Sequence, residues 1–496
     1  MRPLTPGLLS LALTATASCA ATKSPNLPVV DLGYELHQAF SYNWTTDIYT
    51  FSNVRYAQAP VGDLRFRAPM PPLTNHAELQ TGAGPRVCPQ GVPLWQAKAF
   101  GPTGMYSRGK AFSLESWERI LRNCLFLDVH VPRKVFQSAK KLSVGCCQAT
   151  VLVWIHGGGY TFGSKNGVPT PGYDPAGLLR HTKEWNDEEM IFVALNYRLG
   201  ALGFLSGPEV EEHGALNAGL LDQRLDLDWV QENIHLFGGS PKRVTVMGES
   251  AGGGSALIHM LGSPDDTDIK APFSQVISQS PVIMPTTKAP ESAYRDFLSL
   301  LNVNARQIGA APSANYIHGP VLDGKVIPDL PHVLLKQGAF DHSVKVLAAH
   351  NSFEGSFFFD PEVKGEKDFM AWLRNSVPGL ADMQRETLAT SIYPPSFDND
   401  VGYVDQSSRQ MSLWARRSST AHRFNATPGL HTQDLKYTFN DPQSPAFQPV
   451  AQDILQTVIT TFLLRSIIIK IESLAGVLMG GFLVLTTKDS NSVQTL

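Results

Sequence analysis

Short, uninterrupted apolar runs closed by turn residues recur along the chain. Val151-Leu152-Val153-Trp154-Ile155 ends in glycines, and Ile191 to Leu195 runs into Asn196-Tyr197-Arg198. Arg243 to Met247 alternates towards Gly248, and Val344 to Ala349 makes a fourth run. Runs of this kind suit strands covered on both faces, because neither face needs polar positions. Helical patches lie between them, for example Leu221 to Asn233. The alternation predicts an α/β fold built on one large, mostly parallel mixed sheet flanked by helices. No internal repeat of about 20–50 residues and no long low-complexity linker divides the chain.

The two ends break this pattern. Arg2, the apolar and small-residue run Gly7 to Ala17, and Ser18-Cys19-Ala20 form a secretory signal pattern over residues 1–20. A buried N-terminal helix is the competing reading. Near the other end, Glu472 to Lys488 encloses an uncharged, mostly apolar stretch. It is shorter than the roughly 20 residues a membrane span needs. Because Lys488 to Leu496 is polar, it also lacks the hydrophobic end of a lipid-anchor signal. A packed strand or helix is expected there.

Composition narrows the class without naming it. Hydrophobic residues at 43% and charged residues at 17% describe a globular chain with a sizeable core. A net charge of −3 gives no basic footprint for nucleic acid or an anionic membrane. The 41 glycines and 35 prolines suit a loop-rich enzyme. Removing the signal would leave Cys88, Cys124, Cys146 and Cys147, and an oxidising compartment makes a structural disulfide plausible. Asn43-Trp44-Thr45 and Asn425-Ala426-Thr427 are glycan acceptor sequences.

Gly248-Glu249-Ser250-Ala251-Gly252 supplies the chemistry. It follows the strand Val244 to Met247 and precedes Gly253 to Ile258, which can begin a helix. A nucleophile on a tight strand-to-helix turn needs small neighbours, since the backbone is strained and closely packed. It also places the serine at a helix N-terminus, which favours developing negative charge. His156-Gly157-Gly158-Gly159-Tyr160, directly after Ile155, is a glycine run whose backbone N–H groups can reach a substrate oxygen. A phosphate-cradling loop would end in Gly-Lys-Ser/Thr, and this one does not.

At these residues the chain resembles the type-B carboxylesterases and lipases, the cholinesterase-like branch of α/β-hydrolases, most closely the secreted fungal members. Asn196-Tyr197-Arg198-Leu199-Gly200, Asn217 to Gln223, Asp228 to Ile234 and Phe237-Gly238-Gly239 match further. The resemblance runs from about Val29 to Leu464, which sets an expected hydrolase domain of 21–464 and an atypical tail of 465–496. It implies a Ser-Glu-His triad and oxyanion donors at Gly158, Gly159 and Ala251. Asn351-Ser352-Phe353-Glu354-Gly355 resembles the acid loop, so Glu354 is the expected acid; Asp360 and Glu362 lack the following glycine. Gly429 to Asp434, followed by Tyr437-Thr438-Phe439, resembles the histidine loop and points to His431; His342, His350 and His422 lack that surrounding. His431 would carry the serine proton, and Glu354 would hold its imidazole.

The resemblance also pairs Cys88 with Cys124. Their loop carries Trp95, Phe100, Tyr106, Phe112 and Trp117 and is expected to be a flap over the site. Cys146-Cys147 has no counterpart in the resemblance. The intervals from Ser250 to Glu354 and from Glu354 to His431 are shorter than it implies, and a strand between Asn425 and Pro428 is missing. The expected function is a secreted serine ester hydrolase acting on a small ester or lipid, with no metal, cofactor, nucleic acid or stable membrane insertion. A biosynthetic acyl-hydrolysing or acyl-transferring enzyme would use the same residues. A catalytically impaired binding relative is the other alternative.

Overall fold

The computed structural model describes residues 27–90, 123–141, 148–167, 173–186, 189–282, 318–351, 354–376, 380–397, 403–418, 423–424, 439 and 483–485. In chain order the strands are β1 (Val29–Asp31), β2 (Glu35–Gln38), β3 (Ser41–Asn43), β4 (Ile48–Arg55), β5 (Asn75–Gln80), β6 (Phe126–Pro132) and β7 (Ala149–Ile155). They continue as β8 (Met190–Leu195), β9 (Gly239–Glu249), β10 (Gln275–Gln279), β11 (Lys345–Asn351), β12 (Arg423–Phe424) and β13 (Leu483–Leu485). Every residue of β7, β8 and β10 is buried. The apolar runs of β7 and β8 predict this, whereas β10 is buried despite Gln275, Ser278 and Gln279.

The main sheet runs β12-β11-β10-β9-β7-β8-β6-β4-β3, with β13 also paired to β11; β1, β2 and β5 form a separate three-stranded sheet. Pairings from β12 across to β8 are parallel. Those of β8–β6, β6–β4 and β4–β3 are antiparallel. The expected mixed, mostly parallel sheet is therefore present. Leu483–Leu485, inside the C-terminal apolar stretch, pairs antiparallel with Val346–Ala348. Residues 425–428, where the sequence lacks an expected strand, lie outside the described residues; just upstream, Arg423 and Phe424 form β12 beside β11.

Register decides where the site can form. One row across the sheet aligns Leu195, Ile155, Gly248, Ser278 and Ala348. Beyond that row the chain continues into Asn196-Tyr197-Arg198, the glycine loop, Ser250 and the Glu354 turn. All leave from the carboxyl ends of parallel strands, where ligands bind in open α/β sheets. Cys88 and Cys124 are joined in a disulfide, their Cα atoms 5.0 Å apart. Residues 91–122, which hold the five expected flap aromatics, lie outside the described residues, as do Cys146 and Cys147. Among the described residues no helix is long and apolar enough to cross a membrane.

Two motif segments noted in the sequence meet in a buried ion pair. Arg198, 2% exposed, donates from Nε to Asp222 Oδ2 at 2.7 Å and from Nη2 to Oδ1 at 2.6 Å. Its Nη1 also donates to the carbonyls of Arg65 and Arg67, at 3.0 and 2.8 Å. It thereby ties the end of β8, the helix Ala218–Asn233 and the 65–67 turn together. Replacing Asp222 by asparagine leaves a buried guanidinium without its counter-charge, a change that costs about 3–5 kcal/mol. Urea unfolding of Asp222→Asn should show a loss of that order, and an unchanged midpoint would refute the role given to this pair.

Candidate active site

Ser250 stands where β9 turns into the helix Ala251–Ile258, with φ 57° and ψ −121°. A positive φ is costly for a residue with a Cβ and persists only where its surroundings hold it. Here the Ser250 N–H donates to Gln279 O at 2.9 Å, and its carbonyl accepts from Gly254 and Val282, both at 2.9 Å. Gly252 is a glycine because a Cβ there would collide with Ile155 O, and one on Gly248 would strike the Gly252 backbone. The small residues flanking the serine thus answer to close packing against β7 and within the turn. As the first helical residue, Ala251 has an N–H without an intrahelical acceptor.

The glycine loop lies against this turn. A Cβ on Gly157 would come 2.7 Å from Glu249 O and 3.0 Å from Ser250 Cβ. Within the loop, the carbonyls determine where the amides point, because a trans peptide sets C=O and N–H in opposite directions. The Gly157 carbonyl accepts from His156 Nδ1 at 2.8 Å, which orients the N–H of Gly158. The Gly158 carbonyl accepts from Thr161 N at 3.0 Å, Phe162 N at 3.1 Å and Thr161 Oγ1 at 3.2 Å, which orients the N–H of Gly159. Both N–H groups are therefore fixed before any substrate arrives.

His156 was read in the sequence only as the first letter of the glycine motif. Its ring is fully buried, stacks on Tyr197 at 4.5 Å, and its carbonyl accepts the Tyr197 hydroxyl at 2.9 Å. Since a carbonyl only accepts, Nδ1 carries the proton. Burial pushes this imidazole down to about 4 and keeps it neutral.

Glu354 opens a 3₁₀ turn, Glu354–Phe357, just beyond β11 and is 3% exposed. The glycine after it has a physical reason, since a Cβ on Gly355 would collide with Met411 O in the helix Gln406–Ser418. Asp360 instead sits past the turn, its N–H bound to Gln410 Oε1 at 2.8 Å, and Glu362 is exposed. Among the other histidines, His342 is exposed and bonded to Gly338 O at 2.9 Å, whereas His350 is buried within β11. His431, His422 and Asn425 lie outside the described residues. Asn43 is exposed, and its Oδ1 accepts Thr45 N at 2.9 Å.

A mixed, mostly parallel sheet with a strained serine turn at the carboxyl end of its central strand is the arrangement of an α/β-hydrolase. Residues 38–296 match the model of the carboxylesterase family, and the chain belongs to that family. Carboxylesterase patB of Aspergillus clavatus is 34% identical, covering 92% of this chain and 91% of that one. The acetylcholinesterase of Electrophorus electricus is 30% identical over 69% of this chain and 55% of its own length. Among solved structures, a thermophilic pNB esterase matches with a TM-score of 0.61 at 26% identity, over 88% of this chain and 90% of its own. EstA of Aspergillus niger shares the fold, with a TM-score of 0.65 at 23% identity over 88% of each chain. The protein is a carboxylic-ester hydrolase.

The neutral His156 gives a signed pH dependence. Its ordinary value is 6.5 and its folded value about 4, so between these the unfolded chain binds a proton that the folded chain refuses. Stability therefore falls as pH drops through that window, by up to about 1.4 kcal/mol per pH unit from this group. Denaturant titrations at stepped pH should show a shallower slope in His156→Asn than in the native protein. Identical slopes would mean that the ring is not held neutral.

Proposed function

We propose that this protein is a secreted serine carboxylesterase that cleaves lipid or aromatic esters through an acyl-enzyme on Ser250. The observation that carries the reading is the strained Ser250 turn packed against a glycine loop whose amides are already oriented. Ser250 Oγ attacks the ester carbonyl carbon and its proton passes to His431. The carbonyl oxygen, now negative, is held by the N–H groups of Gly158, Gly159 and Ala251. The intermediate collapses, the C–O bond to the alcohol breaks, and His431 returns the proton to the leaving oxygen. Water then repeats the sequence on the acyl-enzyme, releasing the acid and restoring Ser250. Glu354 orients and stabilises the imidazolium.

His431 is proposed from sequence, with support from the described residues on either side of it. Upstream, Phe424 pairs beside Asn351, three positions before Glu354. Downstream, Phe439 packs on Trp154 of β7, their ring centroids 4.9 Å apart, two positions before His156. Secretion is supported by the signal pattern of residues 1–20 and by the Cys88–Cys124 disulfide. An N-glycan at Asn43 or Asn425 would fit that route.

Ser250→Ala should abolish turnover of p-nitrophenyl esters while the unfolding midpoint stays near native. A fluorophosphonate should label one serine, and peptide mapping that places the label elsewhere would refute the assignment. Glu354→Gln and His431→Ala should each lower kcat by orders of magnitude, His431 the more, because it moves the proton.

The Cys88–Cys124 segment is proposed as a flap that sets the substrate class. Emulsified esters should then be cleaved faster than monomeric ones, and changing Trp95 and Phe100 to serine should erase the difference. Equal rates in both phases, indifferent to those changes, would leave a plain esterase.

A further inference from the structure

Gln90 stands two residues after Cys88 and makes a contact that neither the triad nor the disulfide requires. Its Oε1 accepts Gly163 N–H at 2.8 Å and its Nε2 donates to Gly163 O at 3.3 Å. The side-chain amide thus pairs with both backbone polar groups of one residue, as a neighbouring strand would. Gly163 in turn closes the glycine loop. Its φ is +116°, and a Cβ there would lie 2.6 Å from Gly157 O and would collide with His156 Nδ1. Those are the two atoms whose hydrogen bond orients the Gly158 amide.

Gln90 is anchored well enough to act on Gly163. Cys88 is buried and bonded to Cys124. Asn196 Nδ2 donates to Arg86 O at 2.8 Å and to Cys124 O at 3.3 Å, so the backbone on both sides of the disulfide hangs from the end of β8. The same Asn196 accepts Lys165 N–H through Oδ1 at 2.8 Å, two residues beyond Gly163. Lys165 Nζ is itself held by both oxygens of Asp128 at 2.7 Å. The far end of the loop is therefore pinned without Gln90, while Gly163, packed so near the Gly157 carbonyl that a Cβ would clash with it, is held by Gln90.

We propose that Gln90 is a positioning residue for the oxyanion hole: by pairing with Gly163 it sets the Gly157 carbonyl and hence the aim of the Gly158 N–H. The inference rests on the reading of Ser250 and the glycine loop given above. A carboxylate at this position keeps the acceptor for Gly163 N–H but faces the Gly163 carbonyl with negative charge. A leucine keeps the bulk and removes both bonds. The contacts of Gln90 are with the backbone of Gly163 and Cys88, not with Ser250.

The test uses the full-length protein and its Gln90→Glu and Gln90→Leu variants on a soluble p-nitrophenyl ester, with rates per site titrated by fluorophosphonate. Losing one oxyanion donor outright costs about 10²–10³ in kcat, so misaiming one should cost about 10–100-fold. KM is expected to stay within about twofold, since the ground-state carbonyl depends little on the hole. The inhibition constant of a trifluoromethyl ketone, which forms the tetrahedral oxyanion, should rise by the same factor as kcat/KM falls. A merely structural role would instead lower the titrated fraction and leave the rate per site unchanged. That result, or a ketone affinity unmoved while kcat falls, overturns the inference. A native protein that neither turns over the ester nor binds the ketone overturns the reading of the site and this inference with it.

Discussion

The backbone of Ser250 is the constraint to which the surrounding structure answers. A non-glycine residue at φ 57° and ψ −121° stores on the order of 1–3 kcal/mol of strain. It is held because both its backbone polar groups are committed, the N–H to Gln279 O and the carbonyl to Gly254 and Val282. The strands on either side close around it, β7 through Ile155 O against Gly252 and β10 through Gln279 O near Gly253. Relaxing the turn would mean breaking hydrogen bonds and reopening contacts at the centre of the sheet. The strain is therefore carried by the fold as a whole.

The tripeptide Asn196-Tyr197-Arg198 extends that constraint outward. It leaves the sheet at the level of Ile155 and Gly248, and each side chain serves a different neighbour. Asn196 binds the two sides of the disulfide and Lys165. Tyr197 holds His156 by stacking and by a hydrogen bond to its carbonyl. Arg198 locks onto Asp222 in the helix behind. Three adjacent residues can do this because they lie just past the end of a strand, where successive side chains are no longer confined to alternating faces. A motif that reads as one unit in the sequence thus joins the glycine loop, the disulfide and the helical layer.

Much of this was legible in one dimension, for identifiable reasons. The buried strands announced themselves because both faces are covered, and their apolar runs match β7, β8, β9 and β11 to within a few residues. The serine turn was legible because its close approaches permit only small residues. The glycine after Glu354, absent after Asp360, is a sequence signal with a packing cause, since a Cβ on Gly355 would collide with Met411 O. The N-terminal strands left no such signal, since β1 and β3 have three residues each and are largely exposed. His156 reads in the sequence only as part of a motif, and Gln90 carries no sequence signal of a task. Gln90 bonds to a backbone 73 positions away, and a side chain facing a peptide group leaves no partner residue type to notice. His156 looked like a letter of the glycine motif because its work is done on the carbonyl of the next residue.

Glu354, the proposed acid, draws on a second apolar cluster that the Ser250 turn meets at one point. Ser250 and the glycine loop rest on the main apolar core, which runs through β7, β8 and β9. The Glu354 turn leaves β11, whose Val346 and Ala348 belong to the same core, but packs beyond the sheet on a second cluster, with Phe358, Phe369, Trp372 and Leu413 among its members. That cluster is organised by Arg409, fully buried, whose guanidinium lies 3.7 Å from the Phe369 ring centroid and pairs with Glu366. It also donates to Tyr393 O at 2.9 Å and Ala389 O at 2.7 Å, while the adjacent Gln410 binds the Asp360 backbone in both directions. Val282 belongs to this second cluster, and its N–H reaches Ser250 O, so one peptide bridges the two bodies. Disturbing the helical cluster would shift Glu354, the proposed acid, while the serine turn stays held by its own hydrogen bonds. A small shift in the orientation of a catalytic group is enough to slow the chemistry without unfolding the protein. The position of Glu354 relative to Ser250 is accordingly set both by β11, paired to β10 in the main sheet, and by the contact of the second cluster with the serine turn at Val282.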